Sequence, residues 1–267
     1  MKTVEFHTLH YTGILDTKNS VSKMRFSAIL PIIVASALED PKVTLHAYTS
    51  IRNIRQRNEC IQSNLLQDFQ QMQGWIVNSC SSLAFIKSSF AARHALRDFA
   101  ADFIHLLLKQ NIPVIWALRP KGLIPQEHTV LDVLKSLVSQ ILQQSHTMLN
   151  ERSASLTAAR CRDACTMNDW FAILGSVLSG TRLIYIVVDL DIRASAGQMQ
   201  EYNWSSGFSK LFEELQARQI STMVKVIFLT CRKPKAMSPK AGYRNIFNVG
   251  SYPVVGRVIS DPSQRPR

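Results

Sequence analysis

The run Arg182-Leu183-Ile184-Tyr185-Ile186-Val187-Val188-Asp189 constrains this chain more than any other stretch. Its apolar and β-branched residues occupy both faces, and such a strand is stable only where both faces are covered, in the middle of a parallel sheet. Leu83 to Ile86, Pro113 to Leu118 and Val224 to Thr230 have the same character, and Asn245 to Val249 supplies a shorter fifth run. Between these runs the apolar positions switch to helical spacing, at Phe90, Leu96, Phe99, Phe103 and Leu107 and again over 130–143, 168–178 and 206–217. Thr166 or Asn168 is placed to cap the helix over 168–178. Strands alternating with helices predict an α/β fold, a five-stranded parallel sheet with helices on both faces.

Residues 1–79 read differently. Helical spacing is expected over 26–38, 43–57 and 60–76, with a break at Asp40-Pro41, so a helical N-terminal region precedes the α/β domain of residues 80–250. The apolar segment 26–38 is too short to span a bilayer and contains Pro31, so it is expected to be core. The stretch from Ser145 to Thr166 is polar, and the proline-containing tail 251–267 is expected to be loose.

A hydrophobic content of 46% with 19% charged residues is globular composition and excludes general disorder. The charge is uneven: 31 Lys and Arg against 19 Asp and Glu give +12, which permits attraction to phosphates, nucleic acid or anionic membrane without choosing among them. The basic residues are scattered and no run interleaves them with aromatics, which argues against single-strand binding. Five cysteines without a CxxC pair give neither a zinc knuckle nor a disulfide framework, and predict reduced thiols in the cytoplasm.

Ligands on open parallel sheets sit at the carboxyl ends of the strands. Those ends read Lys87-Ser88-Ser89, Arg119-Pro120-Lys121, Asp189-Leu190-Asp191 and Thr230-Cys231-Arg232. The window Lys87 to His94 has the length of the phosphate loop GxxxxGK[ST] with most residues changed. Lys87 and Ala92 stand for the glycines, Arg93 for the lysine and His94 for the Mg²⁺-binding hydroxyl. Ser88 or Ser89 serves equally as an ordinary helix cap. Asp189, ending a buried run about a hundred residues later, is placed to hold Mg²⁺, with Asp191 as an acidic partner; capping the turn after the strand is the alternative role. Arg232 beside Cys231 is placed to contact phosphate and to lower the thiol pKa, although no base accompanies it for cysteine catalysis.

The ordered segments SLAFIKSSFAARHALRDFA, PVIWALRP, DWFAILGSVLSGTRLIYIVVDLDI and VKVIFLTCRKP resemble the NTPase core of the NACHT-like STAND proteins of filamentous fungi, over residues 82–249. The resemblance implies a P-loop NTPase-like sheet in which the first strand lies between the last and the fourth. It also implies ATP or GTP with Mg²⁺ as cofactor, Asp189 as the metal carboxylate, Arg93 in place of the phosphate lysine and Arg232 as the sensor arginine. Without the two glycines the loop does not readily adopt the φ > 0 nest that wraps a β-phosphate. The expected function is a degenerate nucleotide-binding domain working as a regulatory or protein-interaction module without efficient NTP hydrolysis. An active hydrolase with Lys87 and Arg93 supplying charge and Ser88 or Ser89 binding Mg²⁺, or a basic nucleic-acid-binding module, are the alternatives. The family carries a lid and repeats downstream, so the chain is expected to be a piece of a longer product or a degenerate stand-alone copy.

Overall fold

The computed structural model describes residues 27–33, 38–58, 65–119, 128–144, 156–179, 181–192, 204–231 and 244–249. Five strands, β1 (Ser82–Lys87), β2 (Val114–Ala117), β3 (Leu183–Asp189), β4 (Met223–Thr230) and β5 (Arg244–Asn248), form one parallel sheet in the order β2-β3-β4-β1-β5. The first strand therefore lies between the last and the fourth. The helices are α1 (27–33), α2 (Pro41–Asn58), α3 (Leu65–Val77), α4 (Arg93–Lys109), α5 (Val130–Gln144), α6 (Ala158–Asp163), α7 (Met167–Leu178) and α8 (Trp204–Ala217). No helix among the described residues is long and apolar enough to cross a membrane.

Alternation along each strand sorts the core into two layers. Leu83, Phe85, Ile186 and Phe228 face α5, α7 and α8, and Ile29 and Ile33 of α1 join this layer. Ala84, Ile86, Val187 and Ile227 face the layer built with α2, α3 and α4. The segment expected to be core over 26–38 thus contributes Ile29, Ile33 and Leu38 to it, with 34–37 outside the described residues. Lys225 interrupts the second face of β4, where it is fully buried. Its ammonium donates to Trp75 O and Ser82 Oγ, both at 3.0 Å, and lies 5.2 Å from the centre of the Trp75 ring, so it ties the last turn of α3 to the sheet.

Three local readings are refined. The break at Asp40-Pro41 is the start of α2, with Pro41 in the first turn and Asp40 Oδ1 accepting from the Lys42 N–H at 2.8 Å. Thr166 rather than Asn168 caps α7, in a reciprocal box where Thr166 Oγ1 accepts from the Asp169 N–H and the Asp169 carboxylate accepts from the Thr166 N–H. The polar stretch 145–166 contains α6, capped by Thr157, whose Cys161 is buried. Phe90 departs from its expected place: it is 72% exposed in the turn before α4, whereas Leu96, Phe99, Phe103 and Leu107 are buried. The predicted tail 251–267 lies outside the described residues.

The outer edge of β2 is covered by side chains. Gln140 of α5 accepts the Trp116 N–H at 3.0 Å and returns a donor to Trp116 O at 2.8 Å, while Gln144 donates to Val114 O at 3.0 Å. The amide of Gln140 thereby stands in for a neighbouring strand and blocks edge-to-edge pairing. Gln140→Leu orphans two buried backbone groups at about 1–3 kcal/mol each and regains part of that by apolar burial, for a net loss of about 1–2 kcal/mol in urea unfolding. The same variant is expected to self-associate with rising concentration in sedimentation velocity; unchanged stability and a monomeric profile would exclude this role.

Candidate functional site

The carboxyl ends of β1, β4 and β3 are joined by their loops. Register sets Lys87 beside Thr230 on one side and Asn248 on the other, and Asp189 beside Leu229. The Ser88 N–H donates to Thr230 O at 3.2 Å, and Asp191 Oδ2 accepts from the Cys231 N–H at 2.9 Å. Lys87, Ser88, Asp189, Asp191 and Cys231 are thus brought to one edge of the sheet, while Arg232 lies outside the described residues.

The turn between β1 and α4 is closed on itself. Ala92 donates its N–H to Ser89 O at 3.0 Å and to Ser89 Oγ at 3.1 Å, Arg93 donates to Phe90 O at 3.4 Å, and Ser88 Oγ donates to Ala92 O at 3.0 Å. No residue from Lys87 to His94 has φ > 0; among the described non-glycine residues only Asn111 and Gln219 do. A phosphate nest needs successive N–H groups turned inward, and these are turned into the loop itself. Ser88 and Ser89 spend their hydroxyls within the turn, Ala92 occupies the cap position of α4 without a side-chain hydrogen bond, and His94 is exposed. Arg93 lies with its guanidinium 4.6 Å from the centre of the exposed Phe90 ring. In this geometry the loop does not fit a Mg²⁺-bound triphosphate.

Asp189 is buried, and both of its oxygens are engaged. Oδ1 accepts the Asp191 N–H at 2.8 Å and Oδ2 accepts the hydroxyl of Tyr48 at 3.0 Å. Tyr48 comes from α2 and reaches Asp189 across the carboxyl end of the sheet. The guanidinium of Arg97 stands 5.7 Å from the centre of the Tyr48 ring, and its charge reaches Asp189 as well. Burial is the largest influence on Asp189 and Asp191 adds a like charge; the two hydrogen bonds and Arg97 offset only part of this, so the carboxyl is pushed up to about 6. Burial and the Asp189 charge likewise hold Tyr48 well above the usual phenol range.

Cys231 corrects the sequence reading. Its thiol is pushed up to about 11, by burial first and then by Asp191 and Asp189, so it is the reverse of an activated cysteine. Cys80, Cys161 and Cys165 are also free thiols.

α2 is held over this end of the molecule by a row of contacts to α4. Arg52 pairs with Asp102 at 2.7 Å, Arg55 pairs with Asp98, and Thr49 Oγ1 lies 2.9 Å from His105 Nε2. The row is incompletely satisfied: Asp102 Oδ2, Arg52 Nε and both Nε and Nη1 of Arg55 are buried without a hydrogen-bond partner among the described residues. Burial, with Asp98 adding a like charge, outweighs the attraction of Arg52 and pushes Asp102 up to about 6; burial likewise raises Asp98 against the pull of Arg55. Such a network is costly to bury and sensitive to the loss of any one member.

Sequence reasoning found Asp189 and Asp191 at the strand end and missed Tyr48 and Arg97. Arg97 lies one helical turn beyond Arg93, and nothing in its spacing distinguished it from the scattered positive charge. Tyr48 is 141 residues from its partner and sits in a helix read only as amphipathic. No family model matches the chain, and no curated protein gives a significant match to its sequence. Among the described residues no cluster of His, Cys, Asp and Glu is arranged to hold a metal ion.

Proposed function

We propose that this chain is a STAND/NACHT-like P-loop domain that has lost efficient NTP hydrolysis and serves as a cytoplasmic regulatory or protein-interaction module. The observation that carries the reading is Tyr48 on Asp189: the carboxylate at the position of a metal-holding acid is taken up by a hydroxyl from the N-terminal helices. The strand order supports the P-loop relationship, and the closed turn before α4 supports the loss of chemistry. Free cysteines support a reducing compartment. In this reading α2 is a latch on the old nucleotide edge, and the binding of another protein to α2 would be the event that moves it.

The test is equilibrium binding of fluorescent ATP and GTP analogues with and without Mg²⁺, followed by a turnover assay, for wild type, Arg93→Ala and Asp189→Ala. Wild type is expected to show no turnover above background, and any nucleotide binding should be insensitive to Asp189→Ala. Turnover that disappears in Asp189→Ala would overturn the loss of hydrolysis and favour an active enzyme in which Arg93 and the serines of the loop rearrange around phosphate.

A further inference from the structure

A cavity of about 660 Å³ opens beside β2, near the amino ends of β2 and β3 and away from Asp189. Ile184, which lines it, is five residues before Asp189 on β3, a separation of about 17 Å along a strand. The walls are contributed by α2, the end of α4, the end of α5 and the two strands. Leu45, Val114, Trp116, Ile141 and Ile184 make it largely apolar, and all but Ile141 and Leu45 lie on strands whose positions the sheet fixes. Small-molecule sites span roughly 300–1,000 Å³ and combine an apolar body with a few convergent polar groups. Cores are otherwise packed nearly without voids, so a space of this size and lining is a candidate for an occupant.

The charged side chain in its lining is Lys42. Lys42 and His46 are exposed residues four apart on α2 and so stand one above the other on its surface, and His105 of α4 faces them. No Asp or Glu lines the cavity among the described residues. His105 is held by its contact with Thr49. Thr49 Oγ1 already donates its single proton to Leu45 O at 2.9 Å, so in its contact with His105 it accepts from Nε2–H. At the amino end of α2 the N–H groups of Lys42 and Thr44 are taken by Asp40, through Oδ1 and the backbone oxygen respectively. One lysine with the His46 imidazole one turn beyond it, without an arginine fork, matches a single negative charge rather than a phosphate dianion.

We propose that this cavity binds an apolar monocarboxylate, of which a medium-chain fatty acid is the simplest form, with the chain between α2, β2 and α5 and the carboxylate at Lys42 and His46. The site is independent of nucleotide binding at Asp189. Its occupant would lie under the half of α2 that precedes Tyr48, and would add to the contacts that hold this helix in place.

Calorimetric titration of the full chain with decanoate, decan-1-ol, decylamine and decyl phosphate tests the assignment. Decanoate is expected to bind one to one and at least tenfold more tightly than decan-1-ol, with no heat from decylamine. The pair Lys42→Ala and His46→Ala is expected to erase the preference for decanoate over decan-1-ol and leave decan-1-ol binding intact. Leu108→Trp, a change at the partly exposed rim, is expected to abolish both. Equal affinity for acid and alcohol would overturn the role of the basic mouth, and tighter binding of decyl phosphate would overturn the carboxylate. No binding of any of the four, by protein with an undisturbed circular dichroism spectrum, would overturn the site itself.

Discussion

Asp189→Asn is expected to stabilise the protein by about 1–2 kcal/mol at pH 8, an unusual direction for a change at a buried, doubly hydrogen-bonded residue. The reason is the carboxyl held at about 6. An unfolded aspartate releases its proton near pH 3.9, roughly two units lower, and each unit is worth about 1.4 kcal/mol, so ionisation of folded Asp189 is opposed by about 3 kcal/mol. Between about pH 4 and 6 the folded state binds the extra proton, and the stability this confers is complete below the unfolded value and lost as pH rises through about 6. Asp191, Tyr48, Arg97 and Cys231 all face this carboxyl, and only Arg97 among them brings a compensating positive charge. An asparagine keeps an acceptor for the Asp191 N–H and removes the buried charge, while displacing the buried Tyr48 donor gives back about 1–2 kcal/mol. The measurement is urea unfolding at pH 4.5 and pH 8. Wild type should lose stability between the two, with Asp102 contributing in the same direction from its own raised value, and the variant should lose less. A destabilised variant at pH 8 would mean that Asp189 is a structural strand-end cap and that its charge is satisfied. The expected outcome identifies it as a carboxylate kept at a cost to stability, as functional residues are.

The sheet was legible because its physics is local. β1, β3 and β4 announce themselves as apolar runs ending in a polar residue, and they fall within one residue of the expected bounds. The edges were not legible, since nothing about Gln140 or Gln144 in an amphipathic helix says that its amide faces a strand. Lys225 was readable in principle: a lysine inside Val-Lys-Val-Ile-Phe on a strand covered on both faces needs buried acceptors, and Trp75 O and Ser82 Oγ supply them. Phe90 was misread because helical spacing persists for a turn before the backbone becomes helical, and only the start of α4 at Arg93 puts it outside. At the site, the carboxylates belong to strand ends and could be placed by counting. Tyr48 and Arg97 act through tertiary contact alone, and the carboxylate they surround is defined by what covers it.

Arg52→Glu is expected to release α2 from the domain while the sheet stays folded. The substitution removes the 2.7 Å partner of Asp102 and sets a third carboxylate beside Asp98 and Asp102, both already raised by burial. Removing one member of this partly buried pair costs about 2–3 kcal/mol, and repulsion adds to it. The surrounding row has little reserve, because Asp102 Oδ2 and three nitrogens of Arg52 and Arg55 already lack partners. Amide exchange of residues 41–58 should therefore accelerate by about two to three orders of magnitude through local opening, with β3 and β4 amides unchanged. With Tyr48 withdrawn, Asp189 regains water and its carboxyl falls back toward the usual range, which separates this prediction from simple destabilisation: the loss of stability between pH 4.5 and pH 8 shrinks. Asp102→Arg added to Arg52→Glu restores an ion pair with the charges exchanged, and slow exchange in the double variant would attribute the effect to that contact. If instead α2 and the sheet exchange faster together, α2 is an integral layer of the fold. Selective opening would mean that the polar contacts to α4 and the hydrogen bond to Asp189 decide whether α2 docks, although Leu45 and Tyr48 are buried against the sheet layer and Trp116 Nε1 donates to Pro41 O, and that is the physical content of calling it a latch.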